Sequence, residues 1–167
     1  MSHTIPKTLQ HLTRKERKAL EEFVAQLRAR YPNELVLVRL FGSKAHGNFD
    51  EESDVDVLVV VQDDEAAYHD DSSPWAVINR QLPDAYSQKY WRPIVDLSGD
   101  LQLKYGAALS PLIMPDWKYS FIKKQNLLLY RNLRRQGVNL WTKRPNSRLS
   151  VTVSTRRKKI SPQLATI

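Results

Sequence analysis

Leu35-Val36-Leu37-Val38-Arg39-Leu40-Phe41-Gly42-Ser43-Lys44-Ala45-His46-Gly47, resumed at Ser53-Asp54-Val55-Asp56-Val57-Leu58-Val59-Val60-Val61, is the stretch on which the fold turns. Leu35 to Phe41 is a short, β-branched apolar run and predicts a buried strand. Gly42-Ser43 ends it sharply, and Lys44 to Phe49 predicts a short helix or loop. Val55 to Val61 predicts a second strand, nearly all apolar apart from its acid. Residues two apart on a strand point to the same side, so Asp54 and Asp56 converge. Asp is disfavoured in strands, and an acid at the entrance of a core strand needs a reason. A cation held between two carboxylates supplies one, and hard oxygen ligands select magnesium or manganese over zinc. Read alone, the pair is also compatible with an exposed strand end. Gly42-Ser43 alone is equally a plain turn with Ser43 as helix cap, or a place where backbone amides and a hydroxyl approach a phosphate.

Working outward, Thr13-Arg14-Lys15-Glu16 has the spacing of a capping box. Leu20, Phe23, Val24 and Leu27 follow at helical intervals, predicting an amphipathic helix to about Arg30, broken by Tyr31-Pro32-Asn33. After the second strand comes an acidic stretch (Asp63, Asp64, Glu65, Asp70, Asp71), expected to be exposed. Pro74 to Tyr90 has helical spacing in parts, interrupted at Pro83. Pro93-Ile94-Val95-Asp96-Leu97 is read as a third strand, with Asp96 completing a metal site or helping to deprotonate an attacking hydroxyl. A satisfied buried Asp is the plainer account of Asp96, and Asp100 competes for the same role. Ser110 to Met114 predicts a short edge strand. Asp116 caps one long helix to about Gln136, with Gly137 as its stop. Leu127 and Tyr130 lie off the apolar stripe of that helix, so it is expected to be covered on two sides.

The 167 residues suit one domain, with 41% hydrophobic and 26% charged residues, ordinary for a globular protein. Residues 1–142 are read as that domain and 143–167 as a basic tail, disordered or paired as a strand at Val151 to Val153. No apolar run approaches the roughly 20 residues of a membrane span, and Met1 to Leu9 lacks a secretory layout. The expected location is cytoplasmic. There are no cysteines, which excludes disulfides and thiolate chemistry. The net charge of +8 looks like a nucleic-acid signature until it is divided. Seven basic residues and no acids lie from Lys143 onward; taking those seven from 26 leaves 19 against 18 acids in the domain. The tail also lacks an aromatic residue to stack on bases.

Gly42-Ser43, ten residues, then Asp54-Val55-Asp56 resembles the G-S-x10-D-x-D signature of the DNA polymerase β-like nucleotidyltransferases. With Phe41, Lys44, Ala45, His46, Gly47 and Ser53 included, the string is most similar to the minimal nucleotidyltransferases. The resemblance implies an α/β (α+β) fold, a small mixed sheet flanked by helices. It implies Asp54, Asp56 and Asp96 as catalytic and metal-binding carboxylates for magnesium, two ions being expected. It places Gly42, Ser43 and Lys44 in the nucleotide-binding turn, with ATP as the substrate. Family members often carry arginine where this chain has Lys44 and His46, which bears on nucleotide affinity. The resemblance further implies an antitoxin that transfers AMP to a tyrosine of a HEPN-type toxin encoded nearby. The alternatives are transfer to a small hydroxylated molecule, as by aminoglycoside nucleotidyltransferases, or an antitoxin that only binds.

Overall fold

In the computed structural model the described residues are 9, 12–47, 53–63 and 84–143. The capping box is formed: Thr13 accepts from the Glu16 amide and Glu16 accepts from the Thr13 amide, opening helix α1 (Arg14–Arg30). Then come strand β1 (Leu35–Leu40), the single turn α2 (Ser43–His46) and strand β2 (Val55–Val61). A short helical turn (Asp84–Tyr86) and a π-helical segment (Ser87–Trp91) lead into α3 (Arg92–Tyr105). Strand β3 (Leu109–Pro115), helices α4 (Asp116–Lys124) and α5 (Leu128–Gln136) and strand β4 (Val138–Thr142) complete the described elements.

The sheet order is β3-β2-β1-β4, with β1 antiparallel to β2 and β4, and β2 parallel to β3. The expectation of a mixed sheet flanked by helices is met. Strand alternation divides β2 between two cores. Val55, Val57, Val59 and Val61 pack with α1 and α3 on one face. Leu58 and Val60 pack with Met114, Ile122 and Leu133 on the other, under α4 and α5. Asp56 shares the side of Leu58 and Val60, so the carboxylate end of β2 opens on the face that α4 and α5 cover further along.

Two expectations need correcting. Residues 93–97 are helix, not strand. Five apolar-rich residues cannot distinguish the two, but Tyr86, Tyr90, Ile94, Leu97 and Leu101 are all buried at intervals of three and four, a helical stripe. The expected single helix from Asp116 to Gln136 is two, broken at Gln125 to Leu127, where Asn126 adopts a positive φ of 49°. Leu127 and Tyr130, off the stripe of one long helix, pack against the second core once the axis has turned. Val138–Thr142, to which the sequence assigned no element, is β4, paired along β1. The helix expected from Pro74 falls partly on residues 74–83, outside the described residues, as do most of the acidic stretch and the tail 144–167.

Candidate active site

Gly42 and Asp56 make the site. The Phe41 amide donates to the Asp56 carbonyl at 3.0 Å, so the turn leaving β1 stays tied to β2. Gly42 has φ 73° and sits so close that a Cβ there would lie 2.1 Å from Asp56 Oδ2. Only glycine tolerates both conditions, which is why the turn brings bare backbone against the carboxylate. The Ala45 amide donates to the Gly42 carbonyl at 3.2 Å, and Gly47, with φ 79°, closes the turn. Gly42→Ala is expected to cost about 1–3 kcal/mol in backbone strain and, by pushing Asp56 aside, to lower transfer about 100-fold. A thermal melt and a transfer assay check both; wild-type transfer would show that the close approach is incidental.

Asp54 is exposed and Asp56 half-buried. Burial first, and then the negative charge of Asp54, push the Asp56 carboxyl above the ordinary aspartate range. Two carboxylates that repel each other at a strand end are a donor set for a hard divalent cation. Among the described residues, no three of His, Cys, Asp and Glu gather into a group able to hold a metal. Asp96 therefore does not join the pair: it lies on the outward side of α3 and is exposed. The strand beside β2 is instead β3, and the residue it pairs with Asp56 is Ser110.

Lys44 departs from expectation as well. Its side chain is 1% exposed, and its ammonium lies 2.8 Å from Glu16 Oε1. The interior ion pair explains the burial, and it takes the ammonium away from the surface where a triphosphate would arrive. Burial alone would raise the Glu16 carboxyl, but hydrogen bonds from Lys44 and Thr13 outweigh it and hold the group below its ordinary value. Glu16 thus belongs to the site's framework as well as capping α1. Nothing local signals its pairing with a residue 28 positions on. His46 is exposed, and its Nδ1 lies 3.0 Å from the Gly42 carbonyl, bracing the same turn. Ser43, half-buried, opens α2 beside Gly42.

A family model of the nucleotidyltransferase domain matches residues 20–129, which include the turn, both aspartates and the strands that carry them. The chain belongs to this family. As a nucleotidyltransferase it is also similar to two proteins of Methanocaldococcus jannaschii assigned as protein adenylyltransferases. MJ0604 is 30% identical over 73% of this chain and 94% of its own length. MJ0141 is 31% identical over 56% of this chain and 74% of its own length. Among solved structures, a chain of a toxin–antitoxin crystallised with AMP-PNP aligns with a TM-score of 0.42 at 18% identity, covering 73% of each chain. Within the described residues of this nucleotidyltransferase, no helix is long and apolar enough to cross a membrane.

Proposed function

We propose that this nucleotidyltransferase transfers AMP from ATP to a tyrosine hydroxyl of a protein partner, a HEPN-type toxin, and acts as its antitoxin. The observation that carries the chemistry is Asp56, held against the bare backbone of Gly42 with the charge of Asp54 beside it. A protein acceptor is supported by the relatives assigned as protein adenylyltransferases; the toxin is supported by the sequence string Phe41 to Gly47 with Ser53 to Asp56.

Asp54 and Asp56 would hold magnesium, which when bound polarises the phosphoryl oxygens and offsets the charge that develops on them. The Gly42-Ser43 turn offers backbone amides and a hydroxyl to the triphosphate. The acceptor oxygen forms a bond to the α-phosphorus as the bond to pyrophosphate breaks. The hydroxyl proton passes to the aspartate pair, since Asp96 stands apart from it. Lys44 takes no part in nucleotide contact.

The test is incubation of the full chain with α-labelled ATP and magnesium, with and without the product of the adjacent gene. Label is read on protein bands, and the modified residue is identified by mass spectrometry. AMP on a partner tyrosine supports the reading. Label confined to a small hydroxylated molecule, or neutralisation of the partner without any label, would overturn it in favour of the corresponding alternative.

A further inference from the structure

Asp96 and Asp100, which the aspartate pair does not recruit, stand on the outward side of α3 with Leu103. Leu103 is 88% exposed. A Cβ built at Gly99, between them on the same side, meets nothing within 4 Å. On α5 the outward side carries Leu128, 65% exposed, with exposed Arg131 and Arg135. Apart from Trp91, Leu103 and Leu128 are the large apolar residues exposed among the described residues. Each thus lies in line with two charges of one sign, acidic on α3, where Lys104 is paired with Glu22 and exposed Arg92 lies beyond the stretch, and basic on α5. The ion pairs Lys44–Glu16 and Lys104–Glu22 involve none of these four charges.

The spacings are complementary as well. Asp96, Asp100 and Leu103 are separated by four and then three residues, and Leu128, Arg131 and Arg135 by three and then four. Laid antiparallel, the two helices bring Asp96 to Arg135, Asp100 to Arg131 and Leu103 to Leu128 in one register, over seven residues or roughly 10 Å of helix. A shift by one residue loses all three matches.

One molecule cannot make this contact with itself. The buried side of α3, through Ile94, Leu97 and Leu101, belongs to one face of the sheet. The buried side of α5, through Leu133, belongs to the other. From this placement we infer that α3 of one copy docks antiparallel on α5 of a second copy. The contact is heterologous, so a pair of copies still carries one free acidic and one free basic face, and the assembly is a ring or an open chain. A single helix pair is a small interface, so association is weak and concentration-dependent, and its charged matches make it sensitive to salt.

Sedimentation velocity of the full chain tests this at high protein concentration and at ionic strengths from about 0.01 to 1 M, where the Debye length falls from roughly 30 to 3 Å. Two variants are needed, Asp96→Arg/Asp100→Arg and Arg131→Glu/Arg135→Glu. All four sites are exposed, so both chains should fold, which circular dichroism checks. Wild type should associate at low salt and dissociate at high salt. Each variant alone should remain monomeric, because its two faces then carry the same sign. Mixing the two variants, or combining all four substitutions in one chain, should restore association. A wild type that stays monomeric, variants that associate as wild type does, or a mixture that fails to restore association would each overturn the inference.

Discussion

A chain carrying Asp54→Asn and Asp56→Asn is expected to transfer no label, a fall of at least about 10³-fold, yet to melt no lower than wild type. On the proposed chemistry the loss follows from removing both carboxylates that would hold magnesium, in a reaction whose barrier is set chiefly by electrostatic stabilisation. The stability follows from the pKa. Burial and Asp54 raise the Asp56 carboxyl in the folded chain, so ionising it is harder there than in the unfolded chain. The contribution to stability is therefore fully present below the ordinary aspartate pKa. It is lost as pH rises through the raised folded value, and near neutral pH the Asp56 carboxylate opposes folding. Asparagine removes that opposition. In chelator at pH 7 the variant should melt at or above the wild-type temperature. Added magnesium should raise the melting temperature of the wild type alone. Retained transfer would remove the aspartates from the chemistry. A marked loss of stability would mean that they serve the fold instead.

Local signals carried this far because each element of the site is continuous in sequence. The capping box, the run Leu35 to Leu40, the turn at Gly42 and the alternation through Asp56 all lie within short windows, and the structure forms each of them. Asp96 was misplaced because Ile94, Val95 and Leu97 look the same in a strand or a buried helix. The deciding residues, Tyr86, Tyr90 and Leu101, lie outside that window. The break at Asn126 was hidden because Gln125 and Asn126 are tolerated in a helix interior, and the departure becomes visible only as a positive φ. Strand β4 exists because β1 offers an edge to pair with, which Val138 to Thr142 does not announce by itself. The pairing of Ser110 with Asp56 depends on the register of a parallel strand more than fifty residues away. Strand order and register are long-range properties, and the neighbourhood of Asp56 was legible only to the extent that it was local.

The Glu16–Lys44 pair is the strongest case of such hidden coupling. Lys44→Met is expected to destabilise the chain by about 3–5 kcal/mol, because it leaves the Glu16 carboxylate in the interior without its cation. For a chain of this size that is a fall in Tm of roughly 10 °C. Glu16→Gln should also destabilise, although glutamine can keep the capping bond to the Thr13 amide, since it removes the carboxylate that pairs with the Lys44 ammonium. The double variant Lys44→Met/Glu16→Gln should recover most of the loss, because both buried charges of the pair are then removed together. Thermal melts of the three chains measure the coupling, and a double variant no better than the worse single one would deny it. The same chains decide what the lysine does for the reaction. If its ammonium served the triphosphate, the refolded double variant would bind ATP poorly. Buried against Glu16, it braces α2 on α1 instead, so the double variant is expected to keep its KM for ATP. A raised KM with intact stability would return Lys44 to the nucleotide.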